Sequence, residues 1–490
     1  MDNRQGNDNG VLILGGGLAG LTAAEVLNRA HHNVTVVEAG EKIGGLARTI
    51  EYKGFRFDLG GHRFVTDNQE LYAYVSNLLG EDCLCVPRSS KILLRNRYFD
   101  YPLRPLNALC GFGPVMTASI LFDYLRQRIR ARFVKSVPVS LQDWVISHFG
   151  RRLFDIYFRD YSEKVWGIDC NRIDMSWMEQ RIQGLSLAKA IKQSLLPGHG
   201  RQRATLSHRF LYPRLGIGQI ADKLAEKVTK SNPIHTGTRV LKVNHSDFKI
   251  NTVEVEQDGH KQILNGKTFI STIPLPVLVR AMHPSPPAHV LAAASQLGSR
   301  DLLTVTLMIN RPQVTRHTWI YIPEKTIPFG RLHEPSNWST SLAPEGQTHL
   351  VVEYFCSRGD SIWNSSDESL TNNTMSQLVA LGLIKRHDVF DSVITRVPNA
   401  YPLFEVGYKK HCRTVYDYLD KFSNLYTAGR SGMFRYYNMD HAMLAGMDAA
   451  DEIIRSSASA SVAENLTALT EPVPDPDPIS APVLTEAASQ

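Results

Sequence analysis

The chain has 490 residues, 43% hydrophobic and 21% charged, proportions of a globular protein with two or three cores rather than a fibrous or disordered one. Its six cysteines (Cys83, Cys85, Cys110, Cys170, Cys356 and Cys412) are scattered and form no CxxC pair; no metal site is expected, and reduced thiols in a cytoplasmic protein are. The net charge of +6 is uneven, because residues 456–490 hold five acids and no Lys or Arg and so leave +11 on the rest; with no nucleic-acid-binding module in the chain, the basic body points to a phosphorylated small-molecule ligand.

The first ten residues, MDNRQGNDNG, are polar, so no signal peptide is expected. Val11-Leu-Ile-Leu14 is a continuous apolar run, as a strand buried on both faces should be. Gly15 to Gly20 turns the chain, Leu21 to Arg29 has helical apolar spacing, and Val34-Thr-Val-Val37 is the next strand, ending at Glu38. That is a βαβ opening. Residues 76–215 read as mostly helical. Within them Val115 to Leu125 is too short to span a bilayer and is expected to be a packed helix. The cluster Arg126, Arg128, Arg130, Arg132 and Lys135 is either a solvated helix face or a weak membrane-surface contact. Short alternating strands are expected from about 236 to 274 and from 300 to 400. Tyr426-Thr-Ala428 leads into Gly429-Arg430 and a terminal helix, roughly Met439 to Arg455. The Ser/Ala/Pro-rich tail beyond it buries too little surface to offset its ordering entropy and is expected to be disordered.

Gly15, Gly17 and Gly20 form a G-x-G-x-x-G between the first strand and helix, with Glu38 eighteen residues after the last glycine. Such glycines permit a tight turn and let a pyrophosphate approach a helix N-terminus, while the acid binds ribose hydroxyls. The alternative is a plain tight turn. The stretch Phe57-Asp58-Leu59-Gly60-Gly61-His62-Arg63-Phe64 places a histidine directly after two glycines. Read alone, His62 is a buried imidazole satisfied by a backbone carbonyl.

The spacing Glu38, Gly44-Gly45, Arg48 (EKIGGLARTI) resembles the FAD-binding families that include monoamine oxidases, protoporphyrinogen oxidases and UDP-galactopyranose mutases. The resemblance implies FAD, with Gly45 against its diphosphate and Arg48 as counter-charge. Gly429-Arg430 and Tyr436-Tyr437-Asn438-Met439-Asp440 resemble the C-terminal segment that completes the cofactor site in such proteins, with Asp440 accepting from ribityl or backbone groups. GGHRFVTDNQELYAYV, Tyr161-Ser-Glu-Lys-Val-Trp166-Gly167, Met175-Ser-Trp-Met-Glu-Gln-Arg181, Trp319-Ile-Tyr321, Pro328-Phe-Gly-Arg331 and Tyr401-Pro402 resemble, in order, segments of the mutases. GGHRF, PRSSKI, FDYPL and EKVWGI are shared most closely with a branch described as FAD-dependent oxidoreductases or protoporphyrinogen-oxidase-like proteins. One departure is Val65, where many bacterial mutases carry a second histidine.

The fold implied is α/β, with a discontinuous Rossmann-type FAD-binding domain of the GR2 kind (10–75, 215–298, 400–455). Inserted in it are a mainly helical substrate or cap domain (76–214) and an antiparallel β-sheet substrate domain (299–399), and an acidic tail (456–490) follows. The activity implied is pyranose/furanose isomerisation of a nucleotide-activated sugar through N5 of reduced FAD. Gly60 and Gly61 would then press the backbone against the flavin, with His62 at its N5 edge. Arg181 and Arg331 would hold the diphosphate as guanidinium forks, with Tyr401 and Tyr437 donating hydroxyls. Tyr161 or Trp166 would face the nucleobase, and Tyr321 and Tyr436 would complete the substrate site. Bland alternatives stand beside these: Arg181 pairing with Glu179 or Asp174, Arg331 capping a loop, Tyr161 and Trp166 in the core. The competing activity is an oxidase or desaturase taking a hydride from an amine, a porphyrinogen or a polyene precursor. A third reading is a flavoprotein with structural FAD and a partner-recruiting tail. The partner expected is a small-molecule substrate and not nucleic acid; a homodimer and the weak membrane-surface contact stay open.

Overall fold

The computed structural model describes residues 10–101, 113–133, 137–177 and 209–470. The first apolar runs build the expected βαβ unit. Val11–Leu14 lies at the centre of a five-stranded parallel sheet in the order Leu425–Thr427, Thr268–Ser271, Val11–Leu14, Val34–Val37, Ile234–His235. A strand flanked on both sides and covered on both faces must be apolar throughout, and all four of these residues are buried. The helix Leu18–Arg29 is buried from Leu18 to Leu27, because it is packed between the sheet and the long helix Met439–Thr470. One sheet therefore gathers strands from the start, the middle and the end of the chain.

A second, seven-stranded sheet runs Val389–Pro402, Ser299–Ile309, Thr348–Cys356, Arg331–His333, Trp319–Tyr321, Ser90–Leu94, Arg97–Asp100. Its neighbours are antiparallel except Trp319–Tyr321 beside Ser90–Leu94. A four-stranded sheet (His260–Asn265, Lys249–Gln257, Thr238–Ser246, Met282–His283) completes the strand framework with two two-stranded ribbons, Thr49–Tyr52 with Phe55–Asp58 and Cys83–Pro87 with Arg209–Pro213. The chain is mixed α/β, as expected.

Among their helices, the described residues of 76–214 also hold four strands that the sequence reading did not place: Cys83–Pro87, Ser90–Leu94, Arg97–Asp100 and Arg209–Pro213. Arg95 and Asn96 have φ of 52° and 55°, the left-handed pair of a two-residue hairpin whose twist matches its strands. That hairpin joins the edge of the seven-stranded sheet. The terminal helix does not stop near Arg455 but continues to Thr470; only 471–490 of the tail lie outside the described residues. Alanine and serine dominate 456–463, and alanine's high helix propensity favours continuing the preceding helix.

Candidate active site

The glycine turn leads from the first strand into the helix Leu18–Arg29. A Cβ on Gly20 would lie 2.1 Å from the Gly15 carbonyl oxygen, so the tight turn admits only glycine there. Gly17 caps the helix with no side-chain bond, leaving the first-turn N–H groups facing outward with the dipole behind them. A Cβ on Gly17 would meet nothing closer than Gly45 Cα at 3.9 Å. Glu38 sits at the end of the neighbouring strand, accepting from Gly16 N–H and Gly40 N–H at 2.8 Å each. Both its oxygens are fixed by amides yet keep lone pairs for ribose hydroxyls. Arg48 lies against Gly44 and Gly40, and its buried Nε has no hydrogen-bond partner. An uncapped helix start, an oriented carboxylate and an orphaned guanidinium nitrogen fit the diphosphate and ribose of FAD.

The hairpin Thr49–Tyr52/Phe55–Asp58 delivers the chain to Gly60-Gly61-His62. His62 Nδ1 lies 3.1 Å from Gly60 O. A carbonyl only accepts, so Nδ1 carries the proton and Nε2 is left as an acceptor. Burial, aided by the nearby Arg430 charge, pushes His62 down to about 4, so the ring is neutral at pH 7. A Cβ on Gly61 would lie 2.3 Å from the Trp319 ring, and one on Gly60 2.8 Å from Leu302 Cδ2. Protein neighbours thus already require both glycines.

Beneath this loop lies Glu353, fully buried. It accepts from Gly61 N–H at 3.2 Å, pairs with Arg331 Nη2 and faces His333 Nδ1 at 3.5 Å. The register explains the pair, since Arg331 and Glu353 are direct cross-strand partners. Burial raises the Glu353 carboxyl, but the Arg331 guanidinium and His333 outweigh it and hold it down at about 2. Arg331 also donates to Tyr401 OH at 2.9 Å and stacks over Phe355 and Trp319 at 4.8 and 5.4 Å. Arg331 is therefore neutralised from below and does not cap a loop. Arg430, over the rings of Tyr401 and Tyr436 at 5.6 and 5.8 Å, closes the cluster.

On the other side of Trp319 stands a wall of rings. Tyr321 stacks near Trp319 (6.1 Å between centroids) and meets Tyr101 at 4.4 Å and Tyr161 at 5.8 Å. Arg63 lies 5.4 Å from the Trp319 ring and Arg88 5.4 Å from the Tyr101 ring. Burial and the repulsion of Arg63 push the Arg88 guanidinium down from its ordinary value. Arg88 Nε donates to Ser90 Oγ at 3.2 Å, and neither arginine has a carboxylate within 4.0 Å among the described residues. Arg63, Arg88 and Tyr101 come from the stretches GGHRF, PRSSKI and FDYPL. Sequence reasoning passes over these three residues; the signal for them is arginine and tyrosine beside apolar strand residues.

Other expected site residues are distributed unevenly. Trp166 does not face the wall: it is 1% exposed, packed against Trp177 and Phe404, and is core. Tyr437 turns its hydroxyl to Arg435 at 3.1 Å and lines an open groove of about 640 Å³ with Tyr426 and His441, a lining that does not include Arg331. Its backbone carbonyl accepts from Arg430 Nε at 2.5 Å, as Gly429–Gly432 begins a short helix. Asp440, in the first turn of the terminal helix, accepts from or pairs with His441 Nδ1 at 2.9 Å. Arg181 lies outside the described residues. Lys164, in the EKVWGI stretch, donates to the carbonyls of Ile322, Glu324 and Phe329 at 2.8, 2.6 and 3.1 Å. Burial pushes it down to about 7, yet three carbonyl acceptors favour the charged ammonium, which ties its helix to the segment carrying Trp319 and Arg331.

Stability should fall as the solution is acidified from pH 6.5 toward 4. Burial pushes His62 down to about 4, His349 to about 3 and His333 downward. In that window the unfolded chain binds protons that the folded one refuses, so acid favours unfolding. Asp58 works oppositely, since burial raises it to about 6, as does Glu334, raised by burial; but each accepts several hydrogen bonds that favour its carboxylate. The melting temperature across the window checks this, and a flat or rising trend on acidification contradicts it.

Residues 18–454 match the model of the flavin containing amine oxidoreductases. The chain is 24% identical over 462 residues to the coproporphyrinogen III oxidase of Bacillus subtilis (strain 168), covering 86% of this chain and 93% of that protein. It is 44% identical over 69 residues to L-amino acid oxidase Cdc18 of Crotalus durissus cumanensis, a match that spans only 14% of either protein. The structure of reduced UDP-galactopyranose mutase shares the fold, with a TM-score of 0.79 at 22% identity over 91% of this chain and 95% of that one.

Proposed function

The chain belongs to the flavin containing amine oxidoreductase family and is an FAD-dependent enzyme, and from that premise we propose that it acts on a nucleotide-activated sugar, interconverting pyranose and furanose forms with FAD reduced. The observation that carries the proposal is the pair Arg63 and Arg88, set on Trp319, Tyr101 and Tyr321 with no acid partner among the described residues. Two guanidiniums held together without a counter-charge call for an anion, and a ring wall beside them calls for a flat group attached to it. A nucleoside diphosphate has both.

Bound FAD supplies the reactive ring atom, nucleophilic when reduced and hydride-accepting when oxidised. The protein's part is to hold and orient. Gly17, Gly20, Glu38, Gly45 and Arg48 would seat the dinucleotide, with Gly15 making the turn and Gly429, Arg430 and Asp440 closing the site. Tyr161 and Tyr321 would face the nucleobase, and Arg63 and Arg88 the diphosphate. His62 would present neutral Nε2 as a hydrogen-bond acceptor to the sugar. Arg331, neutralised by Glu353, would position the Tyr401 hydroxyl rather than bind the diphosphate as a free fork.

A second reading has its own observation. The likeness to coproporphyrinogen III oxidase runs along 86% of this chain, and an oxidase taking a hydride from a polycarboxylate would also use paired arginines. Anaerobic titration separates the two. UDP and UDP-galactose are added to oxidised and dithionite-reduced enzyme, with Arg63→Ala and Arg88→Ala as controls. The proposal expects UDP binding, weakened about tenfold or more in each variant, and product from reduced enzyme alone. No nucleotide binding in either form, with flavin bleaching by a porphyrinogen or amine, overturns it in favour of the oxidase.

A further inference from the structure

The helix Pro114–Phe133 is apolar on two opposite sides. Its inner side buries Ile120 and Tyr124, which are 2% and 8% exposed, and Ile120 joins the core around Leu141, Trp144, Val145 and Phe149. Its outer side carries Val115, Phe122, Leu125, Ile129 and Phe133, exposed by 84, 70, 59, 59 and 82%. At 3.6 residues per turn these five fall within an arc of about 80° and run about 27 Å along the axis. Val137 and Val139, 85% and 53% exposed, follow. Isolated exposed apolar residues need no explanation, but a continuous stripe does.

The flanks of the stripe are basic. On the same helical projection Arg126 and Arg130 border one edge and Arg128 the other, all three exposed. The helix's one acid, Asp123, is turned away from the stripe, where its Oδ2 accepts from Arg152 N–H at 2.9 Å. Long arginine stems beside an apolar line let the charged heads reach outward while the stems stay with the line. A narrow apolar ridge with cations on both edges matches the boundary between acyl chains and anionic headgroups, which accepts apolar side chains without shape matching.

We propose that the helix Pro114–Phe133 lies in the plane of an anionic lipid surface, its apolar stripe in the headgroup–acyl boundary and Arg126, Arg128 and Arg130 on lipid phosphates. Among the described residues no helix is long and apolar enough to cross a membrane, so the contact is lateral. It belongs to a basic body, +11 outside the acidic tail, whose long-range field adds to the attraction.

The test is co-sedimentation of the full-length holoenzyme with vesicles of phosphatidylcholine alone or with about one-third phosphatidylglycerol. Wild type should partition at least about tenfold more strongly onto the anionic vesicles, since each arginine near such a surface contributes a several-fold factor. High salt should reduce this. The triple variant Phe122→Ser/Leu125→Ser/Ile129→Ser should lose it while keeping its flavin spectrum and melting temperature, because those side chains are solvent-facing. Arg126→Gln/Arg128→Gln/Arg130→Gln should lose the preference for the anionic lipid. Equal partition of wild type onto both vesicles, or undiminished binding by the folded serine variant, overturns the proposal. So does wild type that ignores vesicles but dimerises through this helix, shown by a monomeric serine variant.

Discussion

Glu353→Ala should destabilise the folded protein by about 3–5 kcal/mol, the usual consequence of leaving a buried charge without its partner. Glu353 is fully buried, and its carboxylate answers Arg331 Nη2, Gly61 N–H and His333 together. Removing it leaves the Arg331 guanidinium, only 12% exposed, between Trp319 and Phe355 with the Tyr401 hydroxyl still accepting from it but with no carboxylate among the described residues to balance its charge. Arg331 Nε already lacks a partner. The loop carrying His62 loses its amide acceptor at the same time, so turnover should fall even where the protein stays folded. Glu353→Leu combined with Arg331→Met should recover most of the stability, because replacing a buried pair by apolar residues of similar size is often neutral or better. Urea denaturation followed by flavin release and by far-ultraviolet dichroism checks both. A loss below about 1 kcal/mol in Glu353→Ala would mean that Arg331 finds another acceptor or that water reaches it.

The same residue shows where the sequence was legible and where it was not. The parallel sheet around Val11–Leu14, the glycine turn and Glu38 were readable because each rests on local rules: an unbroken apolar run, a close approach that only glycine permits, an acid at the next strand's end. Glu353 was not singled out, although LVVEYF places a carboxylate in an apolar run and a buried acid needs a partner. Its partner, Arg331, is 22 residues away and meets it only through strand register, which no local pattern encodes. Trp166 misled for the converse reason. An aromatic in a helix reads alike as a ligand platform or as core, and only the three-dimensional neighbours Trp177 and Phe404 decide for core. The hairpin Ser90–Leu94/Arg97–Asp100 was missed because Arg95-Asn96 is a weaker turn signal than Asn-Gly or Asp-Gly. With it went the link between Arg88, Tyr101 and Trp319, since those side chains converge only when the hairpin joins the far sheet.

Arg48→Ala should weaken FAD binding by about ten- to 150-fold, the equivalent of one charge-assisted hydrogen bond at about 1.5–3 kcal/mol, and leave the apoprotein as stable as before. The two halves of that expectation come from one observation. Arg48 Nε is buried without a hydrogen-bond partner, and its guanidinium has no carboxylate within 4.0 Å among the described residues, so the folded chain by itself gains little from the charge. A side chain that costs desolvation without a protein partner makes physical sense if an anion completes it. The nearby glycine turn, with an uncapped helix start at Gly17 and Glu38 fixed by two amides, leaves room for that anion to be the cofactor's diphosphate. Arg48→Lys should recover only part of the affinity, because an ammonium supplies a point charge but not a planar fork. Quenching of flavin fluorescence on titration into deflavinated protein measures the affinity, and urea denaturation of the same apoprotein measures the stability. Unchanged FAD affinity in Arg48→Ala would remove Arg48 from the cofactor site. Unchanged affinity with a large loss of apoprotein stability would make it a structural cation.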